Sequence, residues 1–239
     1  KKSFKNKKIT FYYFEKKDLN ISDYFSLLKI FTEIRPNLLI NCAAYTDVKK
    51  AELDFKNANI ANNISLEHLS NICNDFDTLL IHFSTDYVFD GKKNRPYVET
   101  DDVNPINMYG KSKLEGEAKI IDSKCRYIIF RTSWVYSSYG RNFPIKILNA
   151  AKKNISLKIV HDQIGSPTHA DFISEVTEMC INKRKINSIY HLSSNGDTSW
   201  YEFAKYLING ANERGIKLKC LESSIKPILS KDSIAAAMR

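Results

Sequence analysis

Three apolar runs constrain the fold: NLLINCAAYT (37–46), TLLIHFSTDYVF (78–89) and YIIFRTSWVY (127–136). Each is continuous rather than alternating. A strand that is apolar on both sides of its pleat is covered on both faces, as in parallel sheets. The segments between them read as helices. Residues 54–74 place Ile60, Ile64, Leu66, Leu69 and Ile72 at helical spacing, and MYGKSKLEGEAKIID (108–122) is the next helix. Alternating strands and helices predict an α/β fold with a doubly wound parallel sheet.

Upstream, ITFYYF (9–14) reads as another buried strand. LNISDYFSLLKIFTEIRP (19–36) reads as a helix, with Ser22 as its N-cap, periodic Phe25, Leu28 and Ile30, and Pro36 as its stop. DGKKNRPYVETDDVNPIN (90–107) is a long polar loop. After about residue 144 the pattern loosens. A strand, a Gly-Ser-Pro turn and a helix share KIVHDQIGSPTHADFISEVTEMCI. SIYHLSS is a short strand, and TSWYEFAKYLINGANERGI is a helix capped by Thr198 or Ser199. This divides the chain into 1–144, a larger domain, and 145–239, a smaller lobe whose segments can interleave with the first.

Composition narrows the function classes. With 43% hydrophobic residues in 239, the chain buries a core, and no apolar run is long enough to span a membrane. The five cysteines are scattered with no C-x-x-C pair, which fits reduced thiols, a cytoplasmic location and no metal site. The net charge of +9 reads as a lysine-rich solvated surface. No zinc finger, recognition helix or aromatic–basic RNA motif accompanies it, so nucleic acid is not an expected partner. A small anionic ligand is.

In doubly wound sheets, ligands bind at the carboxyl ends of the strands. Ala43–Thr46, Ser84–Asp86 and Thr132–Trp134 fall there. The chain has five Tyr-x-x-x-Lys pairs: Tyr12/Lys16, Tyr13/Lys17, Tyr45/Lys49, Tyr109/Lys113 and Tyr201/Lys205. Only Tyr109/Lys113 opens a helix that follows a strand ending in hydroxyls, and the spacing puts both side chains on one helix face. A tyrosine can protonate a carbonyl oxygen as hydride arrives at the carbon, although its ordinary pKa of roughly 10 is high. A lysine ammonium one turn away favours the phenolate. A hydroxyl from Ser84 or Thr85 can bond the developing oxyanion.

The runs NCAAYTDVKKAE, FSTDYVFDG, PINMYGKSKLEGE, FRTSWVYSSYGRNF, HDQIGSPT and YHLSSNGDTSWYEFAK, in that order, resemble the dTDP-4-dehydrorhamnose reductase family, within the extended short-chain dehydrogenases/reductases. The resemblance covers nearly the whole chain. It implies a Rossmann-like domain, a substrate-binding lobe, and reduction of a 4-keto nucleotide sugar by NADPH or NADH. Tyr109 is then the proton donor, Lys113 its partner on the nicotinamide ribose, and Thr85 the hydroxyl that tunes the tyrosine. The cofactor would be lined by Glu15, Asn20, Ile21, Ala44, Tyr45 and Thr46. The sugar nucleotide would meet Asp86, Trp134, Asn142, Gln163, Pro167 and Thr168. Glu15 favours a free ribose hydroxyl, whereas Lys16 and Lys17 suit a 2′-phosphate. Mg2+ has no readable residue set, and a monomer or a homodimer is expected.

Three positions depart from the family pattern. Asn20 stands where Asp is usual, Lys49 where an acid is usual, and His169 follows Pro-Thr. The family also opens with a strand, a glycine-rich turn and a helix. This chain contains no such turn and stops at AAAMR, so it is expected to be part of a longer protein. Two alternatives stand beside the expected function: a reductase of another 4-keto nucleotide sugar, and a non-catalytic nucleotide-binding regulatory subunit.

Overall fold

The computed structural model describes residues 9–183 and 186–233. The polar start KKSFKNKK and the AAAMR end lie outside the described residues. The chain divides into two compact units, one of Lys1–Thr132 and Thr177–Leu192, the other of Ser133–Val176 and Ser193–Met238. Both units are discontinuous: the first segment ends at Thr132, and Thr177–Leu192, within the lobe expected over 145–239, joins the first unit. The strand Ser188–His191 hydrogen-bonds beside the third strand of the first unit and so returns a late segment to an early sheet.

The first unit is built on a four-stranded parallel sheet. Its strands are β1 (Leu38–Asn41), β2 (Leu79–Thr85), β3 (Tyr127–Thr132) and Ser188–His191, in that spatial order. Leu80, Ile81 and His82 are buried in succession, as are Ile128, Ile129 and Phe130, so both pleat faces of the central strands are covered. One face packs on helices α1 (Tyr24–Ile34), α4 (Ser65–Asp75) and α5 (Met108–Asp122). There Leu27, Phe31, Leu66, Leu69, Ile72, Leu80, Ile120 and Ile129 form one core cluster.

Several elements differ from their sequence reading. Residues 9–14 form no strand: Tyr12 and Tyr13 are exposed, and no strand among the described residues pairs with the run. Aromatic strand propensity is realised only when a neighbouring ladder takes the backbone groups. Helix α1 is capped by Asp23, not Ser22, because the Asp23 carboxylate accepts from the Phe25 and Ser26 amides. Its buried residues are Leu27 and Phe31, and Phe25 faces solvent. Arg35 ends it in the left-handed region, one residue before Pro36.

The turn after β1 leads into a short helix the sequence did not signal, α2 (Val48–Leu53), capped by Asp47. The next helical stretch is α3 (Phe55–Asn59), a π-helical turn (Ile60–Ile64), then α4. Two glycines explain how closely α5 lies against its neighbours. A Cβ on Gly116 would meet the Asn62 carbonyl oxygen at 2.0 Å, and one on Gly110 would meet the Tyr87 carbonyl oxygen at 2.1 Å. Only glycine admits these approaches.

The second unit holds α6 (Phe143–Lys153) and α7 (Trp200–Glu213) around Ile147, Ala151, Ala204, Ile208, Cys220 and Ile225. Leu157–Val160 and Ile225–Ile228 form a parallel pair in the same unit. Ser199 caps α7 by accepting from the Glu202 amide.

Candidate active site

The carboxyl end of β2 and the start of α5 meet in the first unit. Asn107 caps α5 by accepting from the Gly110 amide, so the helix begins at Met108 and its first turn carries Tyr109. Tyr109 packs in a cluster with Ala51 and Ala58, alongside Tyr45, Val48 and Tyr87. The Tyr87 ring meets it edge-on, with centroids 5.7 Å apart. Burial raises the Tyr109 phenol above its ordinary value, and a hydrogen bond with the Thr85 side chain opposes that rise. Tyr109 therefore keeps its proton at neutral pH.

Lys113, one turn on, is only 1% exposed. Its Nζ donates to the Phe83 carbonyl oxygen at 2.7 Å and lies 2.9 Å from His82 Nε2. Burial lowers its pKa to about 8, while the nearby Glu117 pulls the other way. Glu117 is itself buried and held by Arg131 through Nη2 at 2.7 Å and by the Ser84 hydroxyl. Ser84 is thus engaged below the site. Thr85 reaches Tyr109, and its Oγ1 also accepts from the Tyr87 amide at 3.2 Å. Asp86 follows with Oδ1 3.2 Å from Thr85 Oγ1.

The turn after β1 borders the same cluster. Ala44 and Tyr45 are half-buried and Thr46 is exposed. Asn62, in the π-helical turn, clamps Tyr45 by accepting from its amide at 2.9 Å and donating to its carbonyl oxygen at 3.0 Å. The same side chain donates to Ser112 Oγ on α5. The sequence reading did not single out Asn62 or His82. A lone polar residue inside an apolar segment leaves no periodic signal, and only the pairing of distant segments reveals its partners.

The remaining expected cofactor residues lie elsewhere in this unit. Glu15 ends no strand. It is exposed, opens a turn over residues 16–18 and pairs with Lys17 at 3.1 Å. Asn20 Oδ1 accepts from the Ser22 amide and hydroxyl, and Ile21 packs against the core cluster.

In the second unit, Trp134 stands at φ 47°, a backbone conformation a bulky residue adopts only when its surroundings demand it. Its ring stacks face to face on Trp200 at 3.3 Å, and Gly165 leaves room beneath it. Gln163 Oε1 accepts from Trp200 Nε1 at 3.2 Å. Asn142 caps α6 and donates to the Ser137 and Tyr139 carbonyl oxygens. Pro167 is half-buried, whereas Thr168 is fully buried with its hydroxyl on the Ser166 carbonyl oxygen.

Of the other Tyr-x-x-x-Lys pairs, Tyr12 and Tyr13 are exposed, Tyr45 donates to Asp54, and Lys205 pairs with Glu202 and Glu222. Among the described residues, no group of three or more His, Cys, Asp or Glu stands where it could hold a metal, and nothing supports Mg2+. No described helix is long and apolar enough to cross a membrane.

A buried tyrosine–lysine pair at the carboxyl edge of a parallel sheet, with a threonine hydroxyl on the tyrosine, defines a Rossmann-like unit of the short-chain dehydrogenase/reductase type. The model of the RmlD substrate binding domain matches residues 1–239, and the chain belongs to that family. It is 37% identical over 199 residues to dTDP-4-dehydrorhamnose reductase of Salmonella typhimurium, covering 82% of this chain and 67% of that protein. The enzyme of the same name from Escherichia coli K12 is 39% identical over 189 residues, covering 77% and 63%. The chain thus spans about two thirds of the length of these relatives. The crystal structure of dTDP-4-dehydrorhamnose reductase from Bacillus anthracis in complex with NADP superposes with a TM-score of 0.89 at 35% identity, covering 95% of this chain and 78% of that one.

Proposed function

We propose that the protein reduces dTDP-4-dehydro-L-rhamnose to dTDP-L-rhamnose, with NADPH or NADH as reductant and Tyr109 as proton donor. The observation that carries this reading is the burial of Tyr109 and Lys113 on successive turns of α5, with the Thr85 side chain bonded to the tyrosine. The relatives' activity supports the choice of substrate, and the NADP held by the Bacillus anthracis enzyme favours NADPH.

The first unit fits a nicotinamide nucleotide. Ala43 and Ala44 bring nearly bare backbone to the carboxyl end of β1, and the adjoining Tyr45 packs beside Tyr109. Ala44, Tyr45 and Thr46 would line the nucleotide, with Lys113 on its ribose; Glu15, Asn20 and Ile21 are proposed for the adenosine side. The bound nucleotide supplies a hydride to the substrate carbonyl carbon. As charge develops on the carbonyl oxygen, the Tyr109 hydroxyl transfers its proton there and Thr85 holds the phenol in line. Lys113 stabilises the phenolate to the extent that it is charged. Asp86 is proposed to touch the sugar. In the second unit, Trp134 is the proposed sugar-nucleotide contact, with Asn142, Gln163, Pro167 and Thr168 shaping its surroundings.

The test is a panel of 4-keto nucleotide sugars, followed by loss of NADPH absorbance. Preference for dTDP-4-dehydro-L-rhamnose is expected. Preference for a different 4-keto sugar would reassign the substrate. Failure to bind any nicotinamide nucleotide would favour a binding subunit.

A further inference from the structure

The chain has two tryptophans, Trp134 and Trp200, and the second unit lays one ring on the other. The centroids are 3.3 Å apart and the planes differ by 3°, so the rings overlap almost fully. Left to themselves, aromatic rings favour an offset or edge-on meeting over a face-to-face sandwich. Trp134 also stands at φ 47°, a conformation that a bulky residue keeps only under constraint. The surroundings therefore impose the stack.

Most of those surroundings come from one short segment, QIGSPT (163–168). Gln163 is 8% exposed, and its Oε1 accepts from Trp200 Nε1 at 3.2 Å. Gly165 lies against Trp134, where a Cβ would come 2.5 Å from Cε2 and 2.6 Å from Nε1. The Thr168 amide donates to the Trp134 carbonyl oxygen at 3.3 Å, and the Ser133 hydroxyl donates to the Ser166 carbonyl oxygen at 3.0 Å. Trp200 is tied down in its turn. It opens α7 directly after the Ser199 cap, and Thr198–Ser199 pairs with Ile164–Gly165. The Phe143 ring lies 4.4 Å from it, centroid to centroid. Trp134 stays half-buried.

We propose that Trp200 is a positioning residue: its ring, held by Gln163, keeps the Trp134 indole in the orientation that meets the sugar nucleotide.

The argument is one of prior order. A half-buried ring with no support is ordered only when ligand arrives, and ordering a side chain at that moment costs affinity. A ring already clamped avoids the cost. Trp200 suits the task because its own indole is fixed through Nε1 and through the helix start. Gln163 then acts through Trp200. The role in binding rests on the reading of Trp134 as a sugar-nucleotide contact; the clamping of one ring by the other does not.

The test uses the full chain, in which these two rings are the only indoles. A stacked indole pair gives an exciton couplet in circular dichroism. The parent should show one, and Trp134→Phe and Trp200→Phe should each lose it. A folded parent without a couplet would overturn the proposal. In Trp200→Leu and Trp200→Phe, Trp134 is the sole indole emitter. Its time-resolved anisotropy should show a mobile ring in Trp200→Leu and a held ring in Trp200→Phe, where a flat ring remains to stack on. Equal mobility in the two variants would count against the idea. Affinity for dTDP-L-rhamnose, read by calorimetry, should fall about three- to tenfold in Trp200→Leu and recover in Trp200→Phe. Turnover should keep its kcat within about twofold, because the reacting groups are untouched. An unchanged affinity in Trp200→Leu, where Trp134→Leu weakens binding, would also overturn the proposal. If Trp200→Leu does not fold, Gln163→Met removes the acceptor from Trp200 Nε1 and should shrink the couplet; an undiminished couplet would refute the hold by Gln163. If Trp134→Leu leaves the affinity unchanged while the anisotropies differ as expected, the sugar contact of Trp134 falls and the clamping of its ring stands.

Discussion

Glu117 and Arg131 form an ion pair inside the first unit, with Nη2 2.7 Å from Oε2 and Nε 3.1 Å from Oε1. The side chains are 2% and 5% exposed. The guanidinium also lies over the Phe89 ring, 5.2 Å from its centroid. The pair ties α5 to β3 one turn below Lys113. Removing one member leaves the other charge buried, which costs about 3–5 kcal/mol. Glu117→Gln should lower stability by that order in urea denaturation. Glu117→Leu combined with Arg131→Met should recover much of the loss, since two apolar side chains leave no orphaned charge.

Tyr109→Phe removes the donated proton and keeps the ring that packs against Tyr87. Turnover should fall by about two to four orders of magnitude, the range for losing a general acid. Affinity for the sugar nucleotide, read by calorimetry, should change little. Full activity in this variant would exclude Tyr109 as the acid.

The fold and site were legible in the sequence where local signals and tertiary demands agree. Helix α5 runs from Met108 to Asp122 as expected, because Asn107 supplies a cap and the preceding loop is polar. The strand cores were readable because a parallel sheet needs continuous apolar runs. The aromatic run 9–14 misled, since the same residues describe a strand only when a partner strand is beside them. The π-helical turn was hidden because it answers the approach of α5 at Gly116, a contact 54 residues away from Asn62 in sequence. Tyr109 and Lys113 were picked by their place after β2, whereas the pattern said nothing of how deeply Lys113 is buried. His82 within LLIHFST resembles any polar interruption of a buried strand.

Gly116 offers a stability test of the close approach. Alanine gains about 1 kcal/mol of helix propensity over glycine. Its Cβ, however, would come 2.0 Å from the Asn62 carbonyl oxygen and 2.5 Å from Leu66 Cδ1. Backbone cannot yield as a flexible side chain does, so the clash should outweigh the propensity. A net loss of about 1–3 kcal/mol is expected, read as a lower Tm. Because Asn62 also clamps Tyr45, nucleotide affinity should fall with it.

Lys113→Met separates stability from activity through pH. Lys113 has a pKa of about 8 in the folded chain against its ordinary 10.5. Below pH 8 it is protonated in both states, and the folded state bears the full cost of burying the charge. Between about 8 and 10.5 the unfolded state binds more protons, so this group's contribution to stability rises with pH. Above 10.5 the cost is gone. Methionine fills similar space without charge, so the variant should be more stable than the parent at pH 7, by about 1–3 kcal/mol. The gain should shrink towards zero by pH 10. Paired urea titrations at the two pH values read the difference, in which groups shared by both proteins cancel. A constant gain would show that folding does not lower the Lys113 pKa, and a loss at pH 7 would show that its hydrogen bonds to Phe83 and His82 outweigh the cost of its burial.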